Sequence, residues 1–279
     1  MSESRTVPLS QRRGRRFAFA PVTGVPHFLR PGIEDWIETK ANEDWDTTVR
    51  LGLELRLNVL HYVDYEAGDA VLSALNEPSR NDDDWLDVVD WFLHEYPETD
   101  GTLANLLALA GHELMVAPTG DCLMERIDPT AASMYELVTS PDDKASALMR
   151  DAWALTFGRN PRPNDGWGQA IKAIETLLKP IVEPTNTKAT LGSMTAALRA
   201  APSKWTCALP DRVFKENGEQ TTKLGLEVLT DALATIGYQP GRHGGDNAGE
   251  PDSVTVRSVV FLATTVLGWL RDGALTRNS

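Results

Sequence analysis

Cysteine is the first scarcity. Only Cys122 and Cys207 occur in 279 residues. Two are too few for a disulfide framework, and they point to free thiols in a reducing compartment. Histidine is sparse in pattern as well as number. His27, His61, His94, His112 and His243 never fall at i, i+3 or i, i+4 spacing, and there is no Cys-x-x-Cys or His-Glu-x-x-His. That excludes a dedicated zinc motif, and no metal or other cofactor is expected. The chain has no Gly-x-x-x-x-Gly-Lys-Ser/Thr, no Gly-x-Gly-x-x-Gly after a strand and no Gly-x-Ser-x-Gly. The signatures of phosphate-cradling loops and of serine hydrolases are therefore missing. The longest apolar run, Val259 to Leu270, contains Thr264 and Thr265. It falls short of the roughly 20 residues that cross a bilayer. The basic residues near the start precede no apolar core, so no secretory signal is read. A cytoplasmic protein without membrane contact is the expectation. No internal repeat and no heptad pattern is found.

What is present is an ordinary globular composition, 42% apolar and 24% charged, with a net charge of -13. The charge is unevenly spread. Residues 1–140 hold 11 basic against 25 acidic residues, and 141–279 hold 16 against 15. An acidic half repels nucleic acid at long range, so a polyanion site is expected in the second half or on the N-terminal arm. That arm, 1–21, carries Arg12, Arg13, Arg15 and Arg16. It reads as a flexible basic tail, either a phosphate-binding segment or a solvated terminus.

The spacing of apolar residues predicts a mainly α protein. Helices are expected over 33–40, 66–76, 83–95 and 101–112. The stretch 46–63 fits a strand period as well as a helix face, with a lean to helix. Leu114 to Ala117 and Cys122 to Met124, joined by Pro118-Thr119-Gly120-Asp121, read as a β-hairpin within 113–127. Asp128-Pro129 is a helix start. Further helices are expected over 142–158, over 164–179 with Pro180 at its end, over 189–201, over 220–238 and over 253–271. Residues 202–219 lack a period and read as loop with a short turn. The chain thus divides into three parts: the arm 1–21, an acidic, mainly helical domain 22–140 carrying the hairpin, and a helical bundle 141–279.

Arg242-His243-Gly244-Gly245 lies in the Gly-rich loop 239–251 before the last helix. An imidazole beside a guanidinium suits phosphodiester chemistry. The ring would move the 2′-hydroxyl proton, and the cation would hold the phosphate and stabilise its developing charge. Helix entry is the competing reading. Arg56 and His61 share a five-residue spacing, but that spacing sets them off a common helix face. Thr190-Leu191-Gly192-Ser193 reads as a helix cap that could instead offer amides to an anion.

Residues 141–279 resemble an uncharacterised group of bacterial helical proteins and, more distantly, the abortive-infection C-terminal domain, a HEPN-like helical module. The residues that carry the likeness are Ala152-Trp153 through Phe157-Gly158-Arg159, then Ala170 to Glu175, Lys188 to Gly192, and Arg242-His243-Gly244-Gly245 before the apolar final helix. The resemblance implies a helical bundle, a link to phage defence or toxin-like RNA cleavage without metal, and a dimer with the site at its interface. His243 is then the acid/base candidate and Arg242 the phosphate ligand, with Lys172, Lys188 and Arg257 as auxiliary substrate-binding cations. The pattern departs from the family in one respect: Arg242 is adjacent to His243, and no Arg lies five to seven positions upstream. Two readings stay open: a module that binds and cleaves RNA or holds a nucleotide, and a non-catalytic interaction or adaptor protein, as a homodimer.

Overall fold

A computed structural model describes residues 21–62, 64–216, 219–240 and 251–278. Eleven helices dominate these residues, with six short strands, so the mainly α expectation holds. The chain divides into two compact units between Val116 and Ala117.

The first unit contains α1 (Arg30–Ala41), α2 (Trp45–Glu54), α3 (Ala67–Leu75), α4 (Asp82–Glu95), α5 (Thr102–Ala110) and β1 (Leu114–Val116). The ambiguous stretch 46–63 is helical in its first part, succeeded by a single 3-10 turn at Val59–Tyr62. Asp44 caps α2 by accepting from the Thr47 amide at 2.9 Å. At α4, Asn81 accepts from the Asp83 amide while Asp84 accepts from the Asn81 amide, a closed capping box. Three aspartates sit in its first turn, on the positive end of the helix dipole. Trp85, Val88, Val89 and Phe92 are buried, as expected, and the Phe92 ring meets Trp36 of α1 edge-on with centroids 6.5 Å apart. His112 is fully buried. Its Nδ1 accepts from the Leu114 amide at 2.9 Å, so its Nε2 carries the proton and donates to the Gly24 carbonyl at 2.8 Å.

The second unit contains β2 (Leu123–Glu125), α6 (Pro129–Thr139), α7 (Lys144–Phe157), α8 (Pro163–Val182), α9 (Leu191–Ala200), β3 (Trp205–Cys207), β4 (Arg212–Glu216), β5 (Glu219–Lys223), α10 (Gly225–Gly237), α11 (Ser253–Arg271) and β6 (Leu275–Arg277). β1 and β2 stand where the hairpin is expected within 113–127, and the division between units falls between them. The boundary is thus not near 140. α6 belongs with α7, because Tyr135 packs on Trp153 with ring centroids 4.3 Å apart. α11 is the core of this unit. It has the length and hydropathy of a membrane span, and Val256, Val259, Val260, Ala263, Val266, Leu267 and Leu270 are all buried in the protein. Trp153 Nε1 donates to Thr264 Oγ1 at 2.8 Å, and Thr264 Oγ1 donates to the Val260 carbonyl at 2.8 Å. α7 and α8 pack closely because position 166 is glycine. A Cβ there would meet Thr156 Oγ1 at 2.3 Å and the Ala152 carbonyl oxygen at 3.0 Å. At one end Arg271 forks onto Asp143 at 2.8 and 2.9 Å and reaches Ser146 Oγ at 2.8 Å.

Several expectations are corrected. Pro180 lies inside α8 rather than ending it. It falls in the last turn, where a missing amide removes one hydrogen bond and the helix can still close. Leu148 and Leu155 are half-buried, while Ser146, Met149 and Phe157 fill the inner face of α7. Residues 202–219 are not loop: β3, β4 and the first residue of β5 lie there. Helix α10 starts at Gly225, not at residue 220, and Leu224 is 41% exposed. β3 pairs antiparallel with β6, and β4 with β5. The arm residues 1–20 and the Arg242-His243-Gly244-Gly245 stretch lie outside the described residues.

Candidate functional site

The resemblance-derived auxiliary cations do not converge. Lys172 is exposed in mid-α8, its Nζ 3.3 Å from Gln169 Oε1. Lys188 is exposed in the α8–α9 turn, where its amide donates to Asn186 Oδ1 at 3.0 Å. Arg257 pairs with Glu125 and lies 5.8 Å from the Phe157 ring centroid, so its charge is already engaged. Arg242 and His243 lie outside the described residues. Arg56 uses its carbonyl to accept from Arg80 Nη2 at 2.6 Å, and the exposed His61 ring rests edge-on to Tyr62. Thr190 is a helix cap. Its hydroxyl accepts from the Ser193 amide at 3.2 Å, and the Leu191 amide is taken by Glu175 Oε1 at 2.7 Å. The Leu191 and Ser193 amides at this helix start are thus both engaged. Among the described residues no group of three or more His, Cys, Asp or Glu side chains converges as a metal site. Cys122 and Cys207 are half-buried and form no disulfide.

The second unit does hold a groove, between α9, α10 and the β4–β5 hairpin. Gly225 fixes its shape. A Cβ at that position would stand 1.9 Å from the Leu209 carbonyl oxygen, so only glycine lets the connection between β3 and β4 touch the start of α10. The Gly225 amide donates to Asp211 Oδ1 at 2.8 Å, and the Leu224 amide to Glu227 Oε2 at 2.7 Å. Both amides at the α10 start are therefore occupied.

At the groove Asp231 holds two cations. Lys223 Nζ donates to its Oδ2 at 2.5 Å, and Arg199 Nη2 to its Oδ1 at 3.0 Å. Arg199 Nη2 also reaches the Thr230 carbonyl at 3.2 Å. The Lys223 hydrogen bond, with the Arg199 charge behind it, holds the Asp231 carboxyl below the usual range. Arg212 stands opposite Lys223 in the hairpin ladder, so the two side chains share a face. Phe214, paired with Thr221 across the same ladder, is 39% exposed on the groove wall. Two cations, Arg199 and Lys223, and two carboxylates, Asp231 and Glu227, line the groove beside the aromatic ring, and Arg212 lies across the ladder from Lys223. Among the described residues the first unit shows nothing comparable: positions 21–116 hold 5 basic against 20 acidic residues. Arg30, Lys40, Arg50 and Arg80 there pair with Asp82, Glu43, Glu95 and Asp84.

None of Arg199, Phe214, Lys223 and Asp231 was singled out by sequence reasoning. The signal that finds the hairpin is the Asn217-Gly218 pair. No signal joins Arg199 to Asp231, which are 32 residues apart. Comparison with protein families, with curated proteins and with solved structures finds no match to this chain.

Proposed function

We propose that the second unit binds RNA or a nucleotide through its phosphate, at Arg199 and Lys223. The observation that carries this reading is the Arg199–Asp231–Lys223 cluster at the floor of an open groove walled by Phe214. A phosphate oxygen can take the place of the Asp231 carboxylate. These ion pairs are about half exposed, and such pairs contribute only ~0–1 kcal/mol each, so exchanging one acceptor for another costs little. A base can lie against the Phe214 ring, as bases do on aromatic side chains in single-strand binding sites. Both carboxylates of the groove, Asp231 and Glu227, are engaged in hydrogen bonds, and among the described residues no imidazole lines it. Binding is therefore assigned to the groove and cleavage to His243 with Arg242, which come after the end of α10 in sequence. The resemblance to the abortive-infection module supports a role in phage defence or as a toxin.

The test is fluorescence anisotropy of labelled single-stranded RNA with the full chain in EDTA. Lys223→Ala weakens binding and lowers the salt slope by about one. Lys172→Ala, a cation outside the groove, has a smaller effect. Equal losses from the two variants would mean that binding is spread over the surface, and the groove assignment would fall. Gel analysis of the same mixtures with His243→Ala reads cleavage separately.

A further inference from the structure

The groove does not end at Arg199. A second cavity of about 600 Å³ continues along α9 and α10, between Ala196, Leu233 and Tyr238, and Arg199 lines it too. The first cavity, with Phe214, Thr221 and Lys223, measures about 570 Å³. Each volume falls in the ~300–1,000 Å³ range that takes one ligand of drug size, the size class of a single nucleotide. The guanidinium thus stands where two nucleotide-sized spaces meet. Each space also has its own exposed aromatic ring, Phe214 in the first and Tyr238, 78% exposed, in the second.

Resting on the phosphate-binding reading above, we propose that the groove takes two nucleosides joined by one phosphodiester, with the bridging phosphate at Arg199 and one base in each cavity. Three features argue for this occupant. The Arg199 guanidinium lies at the junction and matches a bridging anion. The far cavity is lined by Ala196, Ala200, Leu233 and Ala234, which suit the faces of a planar base better than a second phosphate. The aromatic rings stand in the two cavities rather than together, so each offers a platform to a different base. The shared chemistry is a dinucleotide step, and its source is either an RNA strand or a free dinucleotide.

The experiment is isothermal titration of the full chain with AMP, with the linear dinucleoside monophosphate ApA and with octa-adenylate. ApA carries less charge than AMP, so a preference for it reports the second nucleoside. ApA is expected to bind about tenfold more tightly than AMP, the gain of stacking one further base. Ala196→Phe projects a ring from the exposed face of α9 into the second cavity and brings the ApA-to-AMP affinity ratio to about one. Gly192→Phe is the second variant. A Cβ at Gly192 meets only Thr190 Oγ1, at 3.9 Å, so the helix accepts it. Octa-adenylate bound more tightly than ApA identifies an RNA strand as the source, and octa-adenylate bound no better identifies a free dinucleotide. If ApA binds no tighter than AMP, or keeps its advantage in both blocked variants, the two-nucleoside proposal is wrong. If Lys223→Ala leaves AMP and ApA binding unaltered, the phosphate reading beneath it is wrong instead.

Discussion

Asp143 gives a direct test of how the second unit is held together. Its carboxylate does two jobs. It caps α7 by accepting from the Ser146 amide at 2.8 Å, and it takes both arms of the Arg271 guanidinium from the end of α11. Those hydrogen bonds hold its carboxyl well below the usual carboxylate range, the Arg271 contact first and the Ser146 contacts after it. Asp143→Asn keeps a good cap and removes the charge; Asp143→Ala removes both. The pair is intermediate in exposure, 17% for the Arg271 side chain and 39% for Asp143. Its strength therefore lies between an exposed pair at ~0–1 kcal/mol and a charge-assisted hydrogen bond at ~1.5–3 kcal/mol. We expect Asp143→Asn to cost about 1–2 kcal/mol, and Asp143→Ala about 1 kcal/mol more for the lost cap. Urea denaturation at neutral pH reads both, and a cycle with Arg271→Ala isolates the pair. The sign with pH comes from a depressed folded-state pKa. The contribution is fully present above the unfolded aspartate value of about 4 and is lost as pH falls toward the folded value. The difference between wild type and Asp143→Asn should therefore be constant from neutral pH down to about 5 and close below it. No loss for Asp143→Asn beside a loss for Asp143→Ala, or a difference that does not change on acidification, would refute the ion-pair account and leave the cap alone.

Asp231→Asn should tighten RNA binding, by up to about tenfold, because the phosphate no longer competes with a carboxylate for Arg199 and Lys223. Weaker binding by this variant in anisotropy would show instead that Asp231 positions the two cations. Gly166→Ala should destabilise the protein by about 1–3 kcal/mol, since the new methyl group collides with Thr156 Oγ1 and crowds the Ala152 carbonyl between α7 and α8. Thermal unfolding checks it, and an unchanged midpoint would mean that the two helices can part without cost.

The features legible in the sequence are local. α4 is readable because Asn81 and the aspartates after it mark a start, and Trp85, Val88, Val89 and Phe92 mark a face. The bounds of α11, Ser253–Arg271, are readable because a capping Asp252 and a long apolar run coincide. The features that escape a sequence reading depend on distant partners. β3 is three residues long and pairs with β6, from Trp205 to Arg277, so no window of the sequence contains the sheet. Asp143 and Arg271 are 128 residues apart. A boundary near 140 is suggested by the change in charge there, yet charge belongs to the surface while the division is set by the core, where Tyr135 and Trp153 stack. The β4–β5 hairpin is the exception, since its Asn217-Gly218 signal is local. Periodicity alone hides it, because Arg212, Val213, Phe214 and Lys215 are all exposed and no alternation of burial marks the strand.

The scarcity of free cations bears on what the protein can hold. Proteins that track a long polyanion neutralise many phosphates, each with its own lysine or arginine. Here the first unit has four times as many acidic as basic residues over 21–116, and four of its five cations are bound to carboxylates. In the second unit Arg257 and Arg271 are bound to carboxylates as well. Arg199 and Lys223 hold a carboxylate too, but the two share one, Asp231, with Arg212 across the ladder from Lys223. The acidic excess over 21–116 repels the length of a nucleic acid. Under the proposed reading the groove therefore contacts one or two phosphates and draws the rest of its affinity from base stacking on Phe214 and Tyr238.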